Sequence, residues 1–96
     1  MENKFNEGIH FLKFGAEWCS PCRALDPILN NFETDHINRV NIHRFDVDTE
    51  SELTTKYGIR SIPTIIVIKN GEDIDRISGP QTVQSLLKKL EDAESH

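Results

Sequence analysis

The six residues Thr64-Ile-Ile-Val-Ile-Lys69 constrain this chain more than any other stretch. They are β-branched and apolar almost without a break, the pattern of a strand buried on both faces of its sheet. Such a strand needs a covering layer on each side, so the rest of the chain has to supply helices for two faces. Asn70-Gly71 follows at once, a two-residue hairpin signal that returns the chain through Ile74–Ser78 as an antiparallel edge.

The preceding sequence carries the other elements. Ile9–Phe14, with Phe11, Leu12 and Phe14, reads as a central strand. Val40–Val47 alternates His43, Phe45 and Val47 against Ile42, Arg44 and Asp46, a second strand. Between them Leu25, Ile28, Leu29 and Phe32 lie on one stripe of a helix that Pro27 should kink. A short helix containing Leu53 and Tyr57 is expected to be capped by Asp48 or Thr49 and ended by Gly58. Val83, Leu86, Leu87 and Leu90 mark a last amphipathic helix with Thr82 as its cap, and residues 91–96 read as a frayed, solvated tail. The order is β-α-β-α-β-β-α, an α/β class with a mixed sheet of about four strands covered on both faces.

A chain of 96 residues suits one domain, here taken as 1–96 with residues 1–8 as a short N-terminal remnant. A net charge of −5 argues against a nucleic-acid partner, which would require a concentrated basic face. No apolar run approaches the roughly 20 residues that span a bilayer, and Met1–Gly8 lack a signal core. A cytoplasmic, monomeric protein without membrane contact is expected. In a reducing compartment two cysteines separated by two residues, as Cys19 and Cys22 are, rarely serve as a structural staple, and they point to redox or metal chemistry.

The pair opens a helix, with Pro21 at a first-turn position that needs no amide donor. Unpaired amides and the positive end of the helix dipole favour a thiolate at Cys19, the attacking species. Cys22 lies one turn on, deeper, and within reach of a mixed disulfide. The expected division is Cys19 as nucleophile and Cys22 as resolving thiol. Zinc is a competing reading, but only His10, His36, His43 and His96 could complete four ligands, and His36 and His43 lack finger spacing. Inert buried thiols and a cluster bridging two chains are the others. Asp46, Asp48 and Glu50 superficially suggest a calcium loop, but the glycine and distal glutamate are missing.

Ala16-Glu17-Trp18-Cys19-Ser20-Pro21-Cys22-Arg23 resembles the active-site segment of the thioredoxin family, and Pro27 matches its helix-kinking proline. Lys56-Tyr57-Gly58-Ile59-Arg60-Ser61-Ile62-Pro63-Thr64 is similar to the segment holding the family's cis-proline. Lys69-Asn70-Gly71-Glu72 and Gly79 keep the same register, so the likeness runs from about Phe11 to Gly79. It implies a thioredoxin-like three-layer sandwich and a thiol–disulfide oxidoreductase acting on protein disulfides. It further implies an upstream disulfide reductase and no cofactor beyond the two cysteines. Pro63 would follow a cis bond beside the cysteines, and Trp18, Ile62, Pro63 and Gly79 would form a shallow rim for an extended substrate. The alternative is a non-catalytic subunit that docks a partner through the rim around Trp18 and Pro63.

Three departures from the family stand out. With eight residues before Ile9, the family's N-terminal strand and much of its first helix are expected to be missing, and Phe5 is expected in a helix remnant. Ser20 replaces a glycine, and its hydroxyl can donate to a thiolate. Lys13 occupies the place of a buried aspartate that helps deprotonate the resolving cysteine. An ammonium there favours thiolates, a desolvated amine can act as a base, and a third possibility is an amine reaching solvent past the sheet edge. Lys13 and Ser20 together predict a more oxidising protein than an ordinary thioredoxin.

Overall fold

The computed structural model describes residues 5–96. Its elements are β1 (Ile9–Gly15), α1 (Ser20–Asp35), β2 (Asn41–Asp46), α2 (Ser51–Lys56), β3 (Thr64–Lys69), β4 (Glu72–Ser78) and α3 (Val83–Ser95). The sheet runs β2-β1-β3-β4, with β1 parallel to β2 and antiparallel to β3, and β3 antiparallel to β4. The two apolar strands are therefore central, and the strands with more polar residues form the edges.

Period-two alternation along β1 and β3 divides the core. Ile9, Phe11, Ile65 and Val67 face α1 and α3, where they meet Leu25, Leu29, Phe32, Leu86, Leu90 and Ala93. Leu12, Phe14, Ile66 and Ile68 face the other way, against Phe5, Phe45, Leu53, Tyr57 and Ile59. Each fully buried Leu, Ile or Phe contributes about 1.5–3 kcal/mol relative to an exposed one. Phe11 and Phe32 stack with ring centroids 6.1 Å apart, which fixes α1 across β1.

The Asn70-Gly71 turn forms as expected, with φ of 51° at Asn70 and 86° at Gly71. Its tip also holds the segment before β1, because Asn70 Oδ1 accepts from the Gly8 amide at 2.8 Å and Gly8 O from the Asn70 amide at 2.9 Å. Phe5 lies in a turn followed by bends rather than in a helix remnant. It packs on His10 and His43, whose rings share a 3.0 Å hydrogen bond. The remainder of the proposed remnant, residues 1–4, lies outside the described residues.

Two expectations at helix ends need correction. Glu50, not Asp48 or Thr49, occupies the N-cap of α2, and it makes no side-chain cap bond. Thr49 Oγ1 donates instead to Asp46 O, and Asp48 turns its carboxylate to Trp18. Gly58 ends the element with φ of 62°. The second correction concerns the tail. Helix α3 starts at its Thr82–Ser85 capping box and continues to Ser95, with Ala93 buried. Lys69 Nζ, from the end of β3, donates to the carbonyls of Ala93 at 2.7 Å and His96 at 3.0 Å. Arg39 grips Glu94 through two hydrogen bonds of 2.8 and 2.7 Å. A cation on the last carbonyls and a bidentate guanidinium keep these residues helical.

Candidate active site

Residues 16–19 connect the C-terminal end of β1 to α1, and the cysteines sit where the helix begins. Cys19 is the N-cap, extended at φ −96° and ψ 105°, and its sulfur accepts from the Cys22 amide at 3.3 Å. This bond answers one of the orphan amides of the first turn, and Pro21 removes the need for another. Cys19 and Cys22 are joined as a disulfide with Cα atoms 5.3 Å apart. Cys22 is 1% exposed and Cys19 6%, and the two lie in one buried cluster with Ala16, against which Val47 and Ile62 pack.

Ile62–Pro63 is a cis peptide, and the Ile62 carbonyl oxygen lies 4.0 Å from Cys19 Sγ. Local bonds fix that loop: Thr64 Oγ1 donates to Ser61 O at 2.7 Å, and the Gly79 amide to Pro63 O at 2.8 Å. Gly79 has φ of 84°, a backbone region that a side chain would oppose. Pro63 and Gly79 are thereby held together, with Ile62 beside the cysteines. Trp18 is 69% exposed and its Nε1–H donates to Asp48 Oδ2 at 2.8 Å, which ties the indole to the loop after β2. The residues expected at the rim thus converge on one end of the sheet. Ser20 is exposed on the first turn of α1, and among the described residues its hydroxyl makes no hydrogen bond to either sulfur.

Lys13 does not reach solvent past the sheet edge. It is buried on β1, the second strand from the edge, and its Nζ bonds Asp26 Oδ1 at 2.8 Å. Asp26 on α1 is the residue that the sequence reading missed. The available signal was the one lysine in a mostly apolar central strand, whose burial calls for a counter-charge from a covering helix. Lys13 and Asp26 border a cavity of about 570 Å3 together with Glu17, Arg23, Arg44 and Asp46. Three of the four histidines considered for zinc are engaged elsewhere, His10 with His43 and His36 with Arg39.

A mixed four-stranded sheet with three helices, a cysteine pair at a helix N-terminus and a cis-proline facing it define a thioredoxin-like dithiol protein. The Thioredoxin family profile matches residues 2–92. A thioredoxin of Staphylococcus epidermidis is 34% identical over 91 residues, 95% of this chain and 88% of the relative. One from Staphylococcus aureus is 33% identical with the same coverage. A solved mutant thioredoxin from Halobacterium salinarum superposes with a TM-score of 0.85 at 26% identity, over 93% of this chain and 77% of the other. The chain belongs to the thioredoxin family, and it is a thiol–disulfide oxidoreductase whose redox centre is the Cys19–Cys22 pair. Nothing in these likenesses favours the non-catalytic docking subunit.

Proposed function

We propose that this chain reduces protein disulfides by a two-step exchange in which Cys19 attacks and Cys22 resolves. In the first step the Cys19 thiolate displaces one substrate sulfur and forms a mixed disulfide. In the second, Cys22 attacks Cys19 and the other substrate sulfur leaves as a thiolate. The observation that carries this assignment is the asymmetry of the pair: Cys19 is the N-cap of α1, 6% exposed and 4.0 Å from the Ile62 carbonyl oxygen, whereas Cys22 lies inside the helix at 1%. An extended substrate segment would lie across Trp18, Ile62, Pro63 and Gly79, pairing with backbone beside the cis bond. Lys13 and Ser20 would favour the reduced form, Lys13 less than an unpaired ammonium would because Asp26 offsets its charge.

In this reading the protein is a single-domain monomer of the cytoplasm. It needs no cofactor besides its cysteines, and a disulfide reductase returns its electrons. No described helix is long and apolar enough to cross a membrane. The test is reduction of a protein disulfide with dithiothreitol as electron source, run beside Cys19→Ser. Turnover abolished in the variant supports dithiol exchange led by Cys19; equal turnover in both proteins overturns it.

A further inference from the structure

Two histidines meet on the sheet well away from the cysteines. His10 stands near the start of β1, about 16 Å along the strand from Gly15. His43 lies on the neighbouring strand β2, opposite Leu12 in the parallel register, so both imidazoles share the face of the sheet that Leu12 lines. His10 is 6% exposed and His43 half-buried. Their rings and that of Phe5 pack in a triangle with centroids 5.3, 5.0 and 5.1 Å apart.

The nitrogens are already aimed. Nδ1 of His10 faces Nε2 of His43 at 3.0 Å. The other nitrogen of His10, Nε2, lies 2.8 Å from Glu7 O, and a carbonyl can only accept, so Nε2 carries the hydrogen. The neutral ring therefore turns the Nδ1 lone pair towards His43. An imidazole tied through one nitrogen to a backbone carbonyl, with the lone pair of the other fixed in direction, is the form in which histidine ligates metals.

We propose that His10 Nδ1 and His43 Nε2 form a binding site for copper(II), separate from the redox centre. The ion takes the place of the hydrogen between the rings, which passes from Nε2 of His43 to its Nδ1, so both rings ligate as neutral imidazoles. No electron moves in this step. The spacing selects the ion. Two nitrogens about 2.0–2.1 Å from one ion stand about 2.8–3.0 Å apart in cis positions of a square plane, but about 3.3–3.4 Å apart on a tetrahedron. The observed 3.0 Å fits the tetragonal geometry of copper(II), which also heads the affinity order of first-row dications. Among the described residues no third histidine, cysteine or carboxylate joins the pair, so water takes the remaining positions.

The test titrates copper(II) chloride into the oxidised protein, whose disulfide leaves no thiol to compete. Calorimetry is expected to give one ion per chain, and pulsed electron paramagnetic resonance two equatorial imidazole nitrogens. His36→Gln combined with His96→Gln removes the other two of the four histidines and is expected to leave both results unchanged. His43→Gln is expected to weaken binding by more than about tenfold, the low end for losing even an outer partner of a metal site. One imidazole or none in the His36 and His96 double variant, or undiminished affinity in His43→Gln, overturns the proposal. The double variant keeps both proposed ligands, so its spectrum decides the matter even where His43→Gln does not fold.

Discussion

A methyl group at position 15 would stand 3.0 Å from the Lys13 amine and 3.1 Å from both Cβ and Sγ of Cys22. Both neighbours are tied down: Cys22 is held by the disulfide to Cys19, and Lys13 by Asp26. Gly15→Ala is expected to lower the stability of the oxidised protein by about 1–3 kcal/mol through overpacking. Urea denaturation checks this, and an unchanged midpoint would contradict it. At this scale the sequence was only half informative. Cys19 and Cys22 carry a recognisable spacing and are paired, and the Ile62–Pro63 bond lies beside them as the family resemblance implied. Lys13 was visible as an anomaly, but its partner was not. Asp26 sits beside Leu25 on α1, and which strand residue it meets depends on how the helix crosses the sheet, which periodicity does not encode.

The elements themselves were largely legible because each has an apolar period that matches its geometry. Phe11 and Leu12 point to opposite layers, as do Val67 and Ile68, so one run of sequence stabilises both covers. What escaped was the end of α3, whose order is imposed from 24 and 55 residues away by Lys69 and Arg39. A polar tail reads as solvated until those contacts are known. Replacing Lys69 by Met removes the cation from three terminal carbonyls, those of Ala93, Glu94 and His96. We expect a loss of about 1 kcal/mol, within the range for a charge at a helix C-terminus. Faster amide exchange should be confined to residues 91–96, and exchange spread evenly over α3 would count against this account. The missed cap of α2 has a similar cause: Asp48 has the right chemistry for a cap but is drawn to the Trp18 indole.

For the molecule as a whole, an ion pair ties the β4 edge of the sheet to its cover. Asp75 on β4 accepts from Lys89 Nζ of α3 at 2.8 Å and from the Arg76 amide at 2.8 Å. Partial burial pushes the Asp75 carboxyl up, but the Lys89 hydrogen bond, the Arg76 amide and the Lys89 charge together hold it below its ordinary value of 3.8. The folded state therefore binds this proton less readily than the unfolded chain does. Its contribution is complete above the ordinary value and is lost as pH falls through and below it. Asp75→Asn should lower stability near pH 7 by about 0.5 kcal/mol, as for a partly exposed pair. It should also make the fall in stability below about pH 4 shallower, which denaturation across pH can measure. Equal acid sensitivity in both proteins would exclude this pair as a contributor.

The exposed indole described at the rim has a further use. It is the only tryptophan in the chain, it immediately precedes Cys19, and its N–H is anchored to Asp48. A disulfide accepts an electron from an excited indole and a dithiol does not, so the indole emission should follow the state of one sulfur pair. Reduction should brighten that emission, and Asp48→Ala should blur the response by freeing the ring. With that response the molecule would carry its own optical gauge of electron occupancy, readable without a label while a partner is loaded or discharged.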